Sequence, residues 1–306
     1  MNKGRGFQLG WWLVLLTIGA MNFAITPFLL YNTASENLYM LCGEFVLVFP
    51  LIIGFFMINN DNESVSVGEA IGFQGFSPKI IPFLLLLAPA AQIFSGVLLT
   101  PVQSLMGLLF GSMDYESLVY GGNAVDFVMN FISLCVLAPV LEELLCRGVI
   151  MQLFKRYGTV AMLIYSSLAF AMLHQSAATL IPIFYLGLLL GIVKITTGSI
   201  FACMVVHSAS NLYSLILLYA GEMNGILEML MLIVGIVLFP VLLWLYITRF
   251  ADIHAWRFAL VDKGSATGIS VGFIICAVIF VLYNFSMFIS RLLNGEIFYD
   301  ISMLFG

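Results

Sequence analysis

Residues 141–147, LEELLCR, place two carboxylates and a guanidinium in the middle of a long apolar run. An ionisable side chain at the depth of the bilayer core costs from about 2.5 to more than about 10 kcal/mol, so it marks a polar cavity, a partner or an active site. Glu142, Glu143 and Arg147 bring three such groups within seven residues. This stretch is therefore the candidate centre of both fold and function.

The composition around it is that of a membrane protein. Hydrophobic residues make up 62% of the chain, charged residues 9%, and the mean hydropathy is +1.10, whereas soluble domains carry roughly 25% charged residues. We predict an all-α, polytopic transmembrane helix bundle of about eight to nine helices in the lipid bilayer. The basic residues form no cluster, which excludes nucleic acid as a partner, and the cysteines show no disulfide or zinc spacing.

Nine apolar runs are long enough to be membrane helices at 1.5 Å per residue. They cover residues 8–31, 38–58, 79–99, 125–154, 159–176, 179–196, 199–219, 226–248 and 269–290. Between them, residues 59–77 are predicted to form a solvated connector with a partly amphipathic patch, and residues 100–123 a segment along the outer interface. Gly187 and Gly191 form a GxxxG pair, which favours a close helix contact within the chain or between chains, so the oligomeric state is left open.

The basic residues fix the predicted orientation. With the N-terminus in the cytoplasm, almost all of them fall on the cytoplasmic side: Lys3, Arg5, Lys79, Lys155, Arg156, Lys194, Arg249, Arg257 and Lys263. Arg291 alone is predicted outside, and Arg147 lies within its helix. This asymmetry follows the positive-inside rule and indicates a multi-pass protein, in the plasma membrane if the source is prokaryotic.

Helical geometry places the two glutamates of the charged stretch on different faces. Glu143 and Arg147 are four residues apart and share a helical face, so we expect them to pair. Glu142 points about 100° away and is left free to act as a base. Pro139, one turn earlier, lacks a backbone N–H and favours a kink that admits water beside Glu142.

Two histidines lie in apolar helices downstream. His174 ends the segment that begins at Phe170, and His207 shares a helical face with Asn211. Measured from the cytoplasmic helix ends, Glu142 lies ~15–20 Å deep, His174 ~22 Å, His207 ~12 Å and Asn211 ~18 Å. We therefore expect these four side chains to converge on one layer, whereas the third histidine, His254, is predicted to be cytoplasmic.

Three spacings together carry a family resemblance: Glu-Glu-x-x-x-Arg at 142, 143 and 147, Phe-x-x-x-His at 170 and 174, and His-x-x-x-Asn at 207 and 211. In this order they resemble the motifs of the CPBP family, which comprises type II CAAX prenyl endopeptidases and bacteriocin-processing or immunity proteins. The resemblance covers a core of about residues 125–219 within a single membrane-embedded protease domain, residues 1–306. Residues 8–99 and 226–290 supply flanking helices.

The resemblance implies an intramembrane endopeptidase with a conical catalytic cavity among its central helices. Glu142 and His174 would activate a water, and His207 and Asn211 would stabilise the oxyanion, while three residues support them: Glu143, Arg147 and Phe170. Glu142, His174 and His207 could instead hold Zn²⁺, but the sequence lacks HExxH, and we favour a mechanism without metal or other cofactor.

Two other functions remain compatible with this sequence. A non-enzymatic immunity or scaffold protein could retain the protease core to bind peptides or membrane proteins. A proton-coupled transporter could also use buried Glu and His, although the chain lacks the internal repeats of that class. For the protease, the expected substrate is a membrane-associated protein or peptide, with either a prenylated C-terminal tail or a leader peptide.

Overall fold

The computed structural model describes residues 5–31, 43–61, 66–111, 124–220, 225–249 and 270–305, which form helices and no strand. The helices, numbered here in chain order, are α1 Arg5–Tyr31, α2 Val48–Asp61, α3 Val67–Ile71, α4 Ile81–Phe110, α5 Ala124–Phe154, α6 Thr159–Leu173, α7 Ala177–Thr197, α8 Ile200–Ala220, α9 Gly225–Arg249, α10 Val271–Leu293 and α11 Glu296–Phe305. Short 3₁₀ turns precede α4 and follow α5. The all-α prediction is confirmed.

Six helices, namely α4, α5, α7, α8, α9 and α10, are long and apolar enough to cross a membrane. Three shorter apolar helices cover Leu9–Phe23, Gly43–Asn59 and Thr159–Leu173. Each of the nine predicted runs is thus helical over most of its described residues, and the protein is an integral, multi-pass membrane protein. Three basic residues of the orientation argument lie outside the described residues: Lys3, Arg257 and Lys263.

The packing places α5, α6, α7 and α8 around a common centre. α6 packs along α7, and α4 packs against α7, α8 and α9. A Cβ at Gly187 of α7 would lie 3.0 Å from Ser167 of α6, and one at Gly191 would lie 2.3 Å from Leu163. The GxxxG pair therefore serves a helix contact inside the chain, where glycine lets the two backbones approach.

The second half of residues 59–77 is more than a solvated connector, because its partly amphipathic patch forms helix α3. Helix α3 folds back under α5, where Ile71 is fully buried and lies 2.9 Å from a Cβ built on Gly148. The Lys194 ammonium donates to the Ile71 carbonyl at 2.5 Å, and the Ile200 amide donates to Gly72 at 3.0 Å. These bonds to α7 and α8 hold the segment, and polar composition alone could not show them.

The first part of the predicted interfacial segment, residues 100–123, continues a long helix. Helix α4 runs through Pro101 to Phe110, and Gly111, at φ 80°, ends it. Val102 and Leu105 are exposed and the apolar side chains of residues 106–110 are half-buried, and their place at the interface stays a prediction. Residues 112–123 lie outside the described residues.

Candidate active site

Helix α5 is irregular on both sides of the two glutamates. Phe131–Leu137 and Leu144–Ile150 are π-helical, and Ala138–Glu143 between them is α-helical. π-Helical turns are rare and occur frequently at functional sites, because they widen the helix and displace side chains from the regular register. The opening predicted beside Pro139 thus takes the form of a π segment directly before it.

A freed carbonyl explains where Asn211 lies. In the π segment the Ala138 amide bonds to the Ser133 carbonyl, five residues back, so the next residue would donate to Leu134. That residue is Pro139, which has no N–H. The Asn211 Nδ2 fills the position and donates to the Leu134 carbonyl at 2.7 Å.

Glu143 contacts both Arg147 and His207 in the buried part of the site. Its Oε1 lies 2.8 Å from Arg147 Nη1, which is the predicted ion pair, and also 2.9 Å from His207 Nδ1. Because a carboxylate can only accept, the His207 Nδ1 carries the proton. The side chains of Glu143 and Arg147 are 0% and 1% exposed, so each charge relies on these partners for the solvation that water would otherwise provide.

Arg147 has two further contacts that fix its guanidinium. Its Nη2 donates to the Gly187 carbonyl at 3.2 Å, and its Cζ lies 4.2 Å from the centre of the Phe170 ring. A guanidinium over an aromatic face gains a cation–π attraction that is stronger where water is excluded. Arg147 thereby links α5 to α6 and α7.

Glu142 is the more accessible carboxylate. Its side chain is 18% exposed, and its Oε2 lies 3.9 Å from His207 Nε2, beyond hydrogen-bond distance. Within the described part of the chain, Glu142 Oε2 has no hydrogen-bond partner. A buried carboxylate oxygen without a donor is costly, so this atom is a candidate to bind water or substrate.

Phe170 lies between the two membrane histidines. Its ring is edge-on to His174, with centroids 5.1 Å apart at 80°, and to His207, at 5.6 Å and 89°. The His174 Nδ1 lies 2.9 Å from the Phe170 carbonyl oxygen, and since a carbonyl only accepts, Nδ1 is the donor. In the neutral ring, Nε2 is then free to accept a proton.

The structure thus brings most of the predicted site residues together, but the role expected of Glu143 changes. His207 meets both glutamates, so Glu143 orients His207 as well as Arg147, and the expected clean division between the two carboxylates is incomplete. His174 joins the group through Phe170, and Asn211 is tied to the Leu134 carbonyl on the same helix as Glu142. Their catalytic roles stay predictions.

Sequence reasoning missed Glu44. This half-buried residue lies at the start of the apolar segment Gly43–Asn59, close enough to Glu142 for the two carboxylates to repel each other. The signal was present, because Glu44 is an acidic residue in an apolar run, as Glu142 is. The sequence does not show that α2 packs parallel to α5, with Gly54 against the Val149 side chain.

Glu142, His174 and His207 are the residues that would hold zinc in the alternative to the favoured metal-free mechanism. Among the described residues, no three His, Cys, Asp or Glu side chains are grouped so that they could hold a metal ion. Glu143 takes one nitrogen of His207, and the Phe170 carbonyl takes one of His174. These bonds leave Nε2 of both rings free, as is usual for a zinc-binding histidine, so only the missing grouping of the three side chains speaks against a three-ligand zinc site. The chemistry below uses side chains alone.

No match was found among curated proteins or among solved structures. Residues 124–213 match the family described as type II CAAX prenyl endopeptidase Rce1-like. The matched segment begins with the first residue of α5, ends within α8, and contains all three motifs. The match covers less than a third of the chain. Over this segment the chain is similar to the Rce1-like CAAX prenyl endopeptidases, and the resemblance that the motifs indicate is confirmed there.

Proposed function

We propose that the protein hydrolyses a peptide bond of a membrane-associated protein or peptide, with Glu142 and His174 activating the attacking water. The observation that carries the proposal is the unpartnered Oε2 of Glu142 beside His207. A carboxylate held in a water-poor site, with an imidazole nitrogen free to accept, is the pair that general-base catalysis requires.

In the first step, Glu142 and His174 bind the water and Glu142 takes one of its protons as the oxygen adds to the scissile carbonyl carbon. The carbonyl oxygen becomes an oxyanion. In the second step the C–N bond breaks, and the proton held by Glu142 passes to the leaving amine. Water is consumed, and a carboxylate and an amine are released.

His207 and Asn211 are assigned to the oxyanion. With its Nδ1–H given to Glu143, His207 directs Nε2 toward Glu142. A neutral ring has no second N–H, so we assign the oxyanion hydrogen bond to the imidazolium form of His207, whose Nε2–H donates while Glu143 balances the charge. The Asn211 amide uses one hydrogen on Leu134 and keeps the second. Donors fixed before the reaction stabilise a developing charge without reorganisation.

The substrate we propose is a prenylated C-terminal tail, which follows from the family described as type II CAAX prenyl endopeptidase. A leader peptide is the competing substrate class. Cleavage of a farnesylated CAAX peptide compared with the same peptide lacking the farnesyl group distinguishes the two. We further propose that no metal takes part, so cleavage should persist after incubation with a chelator and removal of bound metal.

The test compares purified full-length variants on a quenched fluorescent, farnesylated CAAX peptide. We expect Glu142→Gln and His174→Gln to lower kcat by at least about a hundredfold, the usual contribution of a positioned acid or base. Glu69→Gln, which makes the same chemical change on an exposed side chain of α3, should cleave normally. Full cleavage by both site variants would contradict the proposal and would favour the non-enzymatic immunity or scaffold function.

A further inference from the structure

Asn284 connects helix α10 to the turn between α6 and α7, residues 174–176, which includes His174. It is 5% exposed, although its neighbours Leu282 and Phe285 are 60% and 53% exposed on a helix that mostly faces lipid. A polar side chain turned inward from such a helix requires hydrogen-bond partners. Asn284 finds them on the turn between α6 and α7.

The bonds of Asn284 close this turn from both sides. Its Oδ1 accepts from the Ala177 amide at 2.8 Å, and its Nδ2 donates to the Gln175 carbonyl at 3.3 Å and to Phe280 of its own helix at 2.9 Å. Ala177 is the first residue of α7, and the preceding Ser176 makes no side-chain cap bond. Asn284 therefore caps α7 from another helix.

The turn needs such support because its backbone is strained. Gln175 has φ 56°, the one non-glycine residue with positive φ in the described ranges, and side chains disfavour this conformation. Strained residues persist where surrounding contacts over-determine them, and they cluster at functional sites. A second amide, Asn22 of α1, donates to the Gln175 Oε1 at 2.7 Å.

His174 directly precedes this strained residue. Its backbone amide makes a short-turn bond to the Ala171 carbonyl at 3.2 Å, and its ring is held by the Phe170 carbonyl. The direction of the ring therefore depends on where the turn at Gln175 is fixed. Asn284 lies on α10, beyond residue 213, where the family match ends.

We propose that Asn284 is a positioning residue for His174: its amide locks the strained Gln175 turn and so sets the orientation of the imidazole. The inference rests on the proposed function for its effect on cleavage. The orientation itself can be measured without any substrate.

The experiment uses the full chain labelled with ¹⁵N-histidine, in detergent micelles. The sequence contains three histidines, so each imidazole can be assigned with a single His→Gln variant. Asn284→Leu removes all three side-chain bonds at similar volume and makes α10 more apolar, which favours membrane insertion. Asn284→Asp keeps an acceptor for the Ala177 amide, and Ser286→Ala, two residues further on, is the matched control.

We expect Asn284→Leu to shift the His174 signals while those of His207, held by Glu143, stay unchanged. On the farnesylated peptide, kcat should fall on the order of tenfold to a hundredfold, as for a small displacement of a catalytic group, with KM changed less than about threefold. Asn284→Asp should recover part of both effects, and Ser286→Ala should show neither.

Unshifted His174 signals in Asn284→Leu would overturn the inference, and so would an unchanged kcat. A shift of all three histidines together with a lower melting temperature would also overturn it, because it would show a general structural role. If Glu142→Gln and His174→Gln both cleave normally, the proposed function fails, yet the shift of the His174 signals still decides whether Asn284 orients the ring.

Discussion

At the scale of single residues, Pro139 does more than kink a helix. By lacking an N–H it leaves the Leu134 carbonyl open, and this carbonyl holds Asn211 in place. The side chain assigned to the oxyanion is therefore oriented by a hydrogen bond that the backbone of α5 cannot make. Position 139 should contribute to activity although its ring has no reactive group.

Pro139→Ala tests this arrangement. Alanine restores an N–H that competes for the Leu134 carbonyl, so Asn211 should be released and kcat should fall on the order of a hundredfold, as when one oxyanion donor is lost. A proline inside a helix costs about 3 kcal/mol relative to alanine, so the melting temperature should stay equal or rise. The measurement is kcat together with thermal unfolding in detergent.

Pro101→Ala is the matched control, because Pro101 is an exposed proline inside α4. This variant should gain or keep stability without any loss of kcat. Wild-type kcat in Pro139→Ala would show that the proline does not act through Asn211.

At the scale of helices, α3 is the element that sequence reasoning missed. Its buried Ile71 reaches Gly148, within one turn of Arg147 and on the cytoplasmic side in the predicted orientation. The Lys194 ammonium joins it to the end of α7, because it donates both to the Ile71 carbonyl of α3 and, at 3.1 Å, to the Gly198 carbonyl that follows α7. The end of the bundle next to the buried charges is thus covered by α3, which Lys194 holds together with the first backbone amide of α8.

Lys194→Met should loosen α3. A hydrogen bond from a charged group contributes about 1.5–3 kcal/mol, so amide hydrogen exchange across residues 67–74 should quicken at least about tenfold. Lys155→Met removes one charge from an exposed side chain at the end of α5 and should leave this exchange unchanged. Equal protection of α3 in the two variants would contradict the role given to Lys194.

The sequence predicted the helices well because membrane spans depend on length and hydropathy, which are local properties. It also predicted the Glu143–Arg147 pair, since i and i+4 positions share a face. It could not predict the contact of Glu143 with His207 or of Asn211 with Leu134. Those contacts depend on how α8 packs against α5 and on the π-helical register, and neither is encoded in a spacing.

At the scale of the whole molecule, the orientation in the membrane is still a prediction, as is the grouping of residues 1–306 in a single membrane-embedded protease domain. The buried core does run from Trp11 on α1 to Cys276 on α10, so helices outside the family match pack with those inside it. We therefore expect the flanking helices to be required for activity.

The orientation can be tested with alkaline phosphatase fusions in a bacterial host. Because of the positive-inside rule, a fusion after Ala220 should be exported and active, and a fusion after Tyr157 should stay in the cytoplasm and be inactive. The reverse pattern would place the N-terminus outside and would turn α3 toward the exterior.

The ion pair of Glu143 with Arg147 also bears on how the protein is made. Both partners belong to α5, so the guanidinium has its countercharge before α7 and α8 have been synthesised. A paired arginine enters the bilayer at lower cost than an isolated one. Gly187 and His207 are synthesised later, so their contacts with Arg147 and Glu143 form after the ion pair within α5.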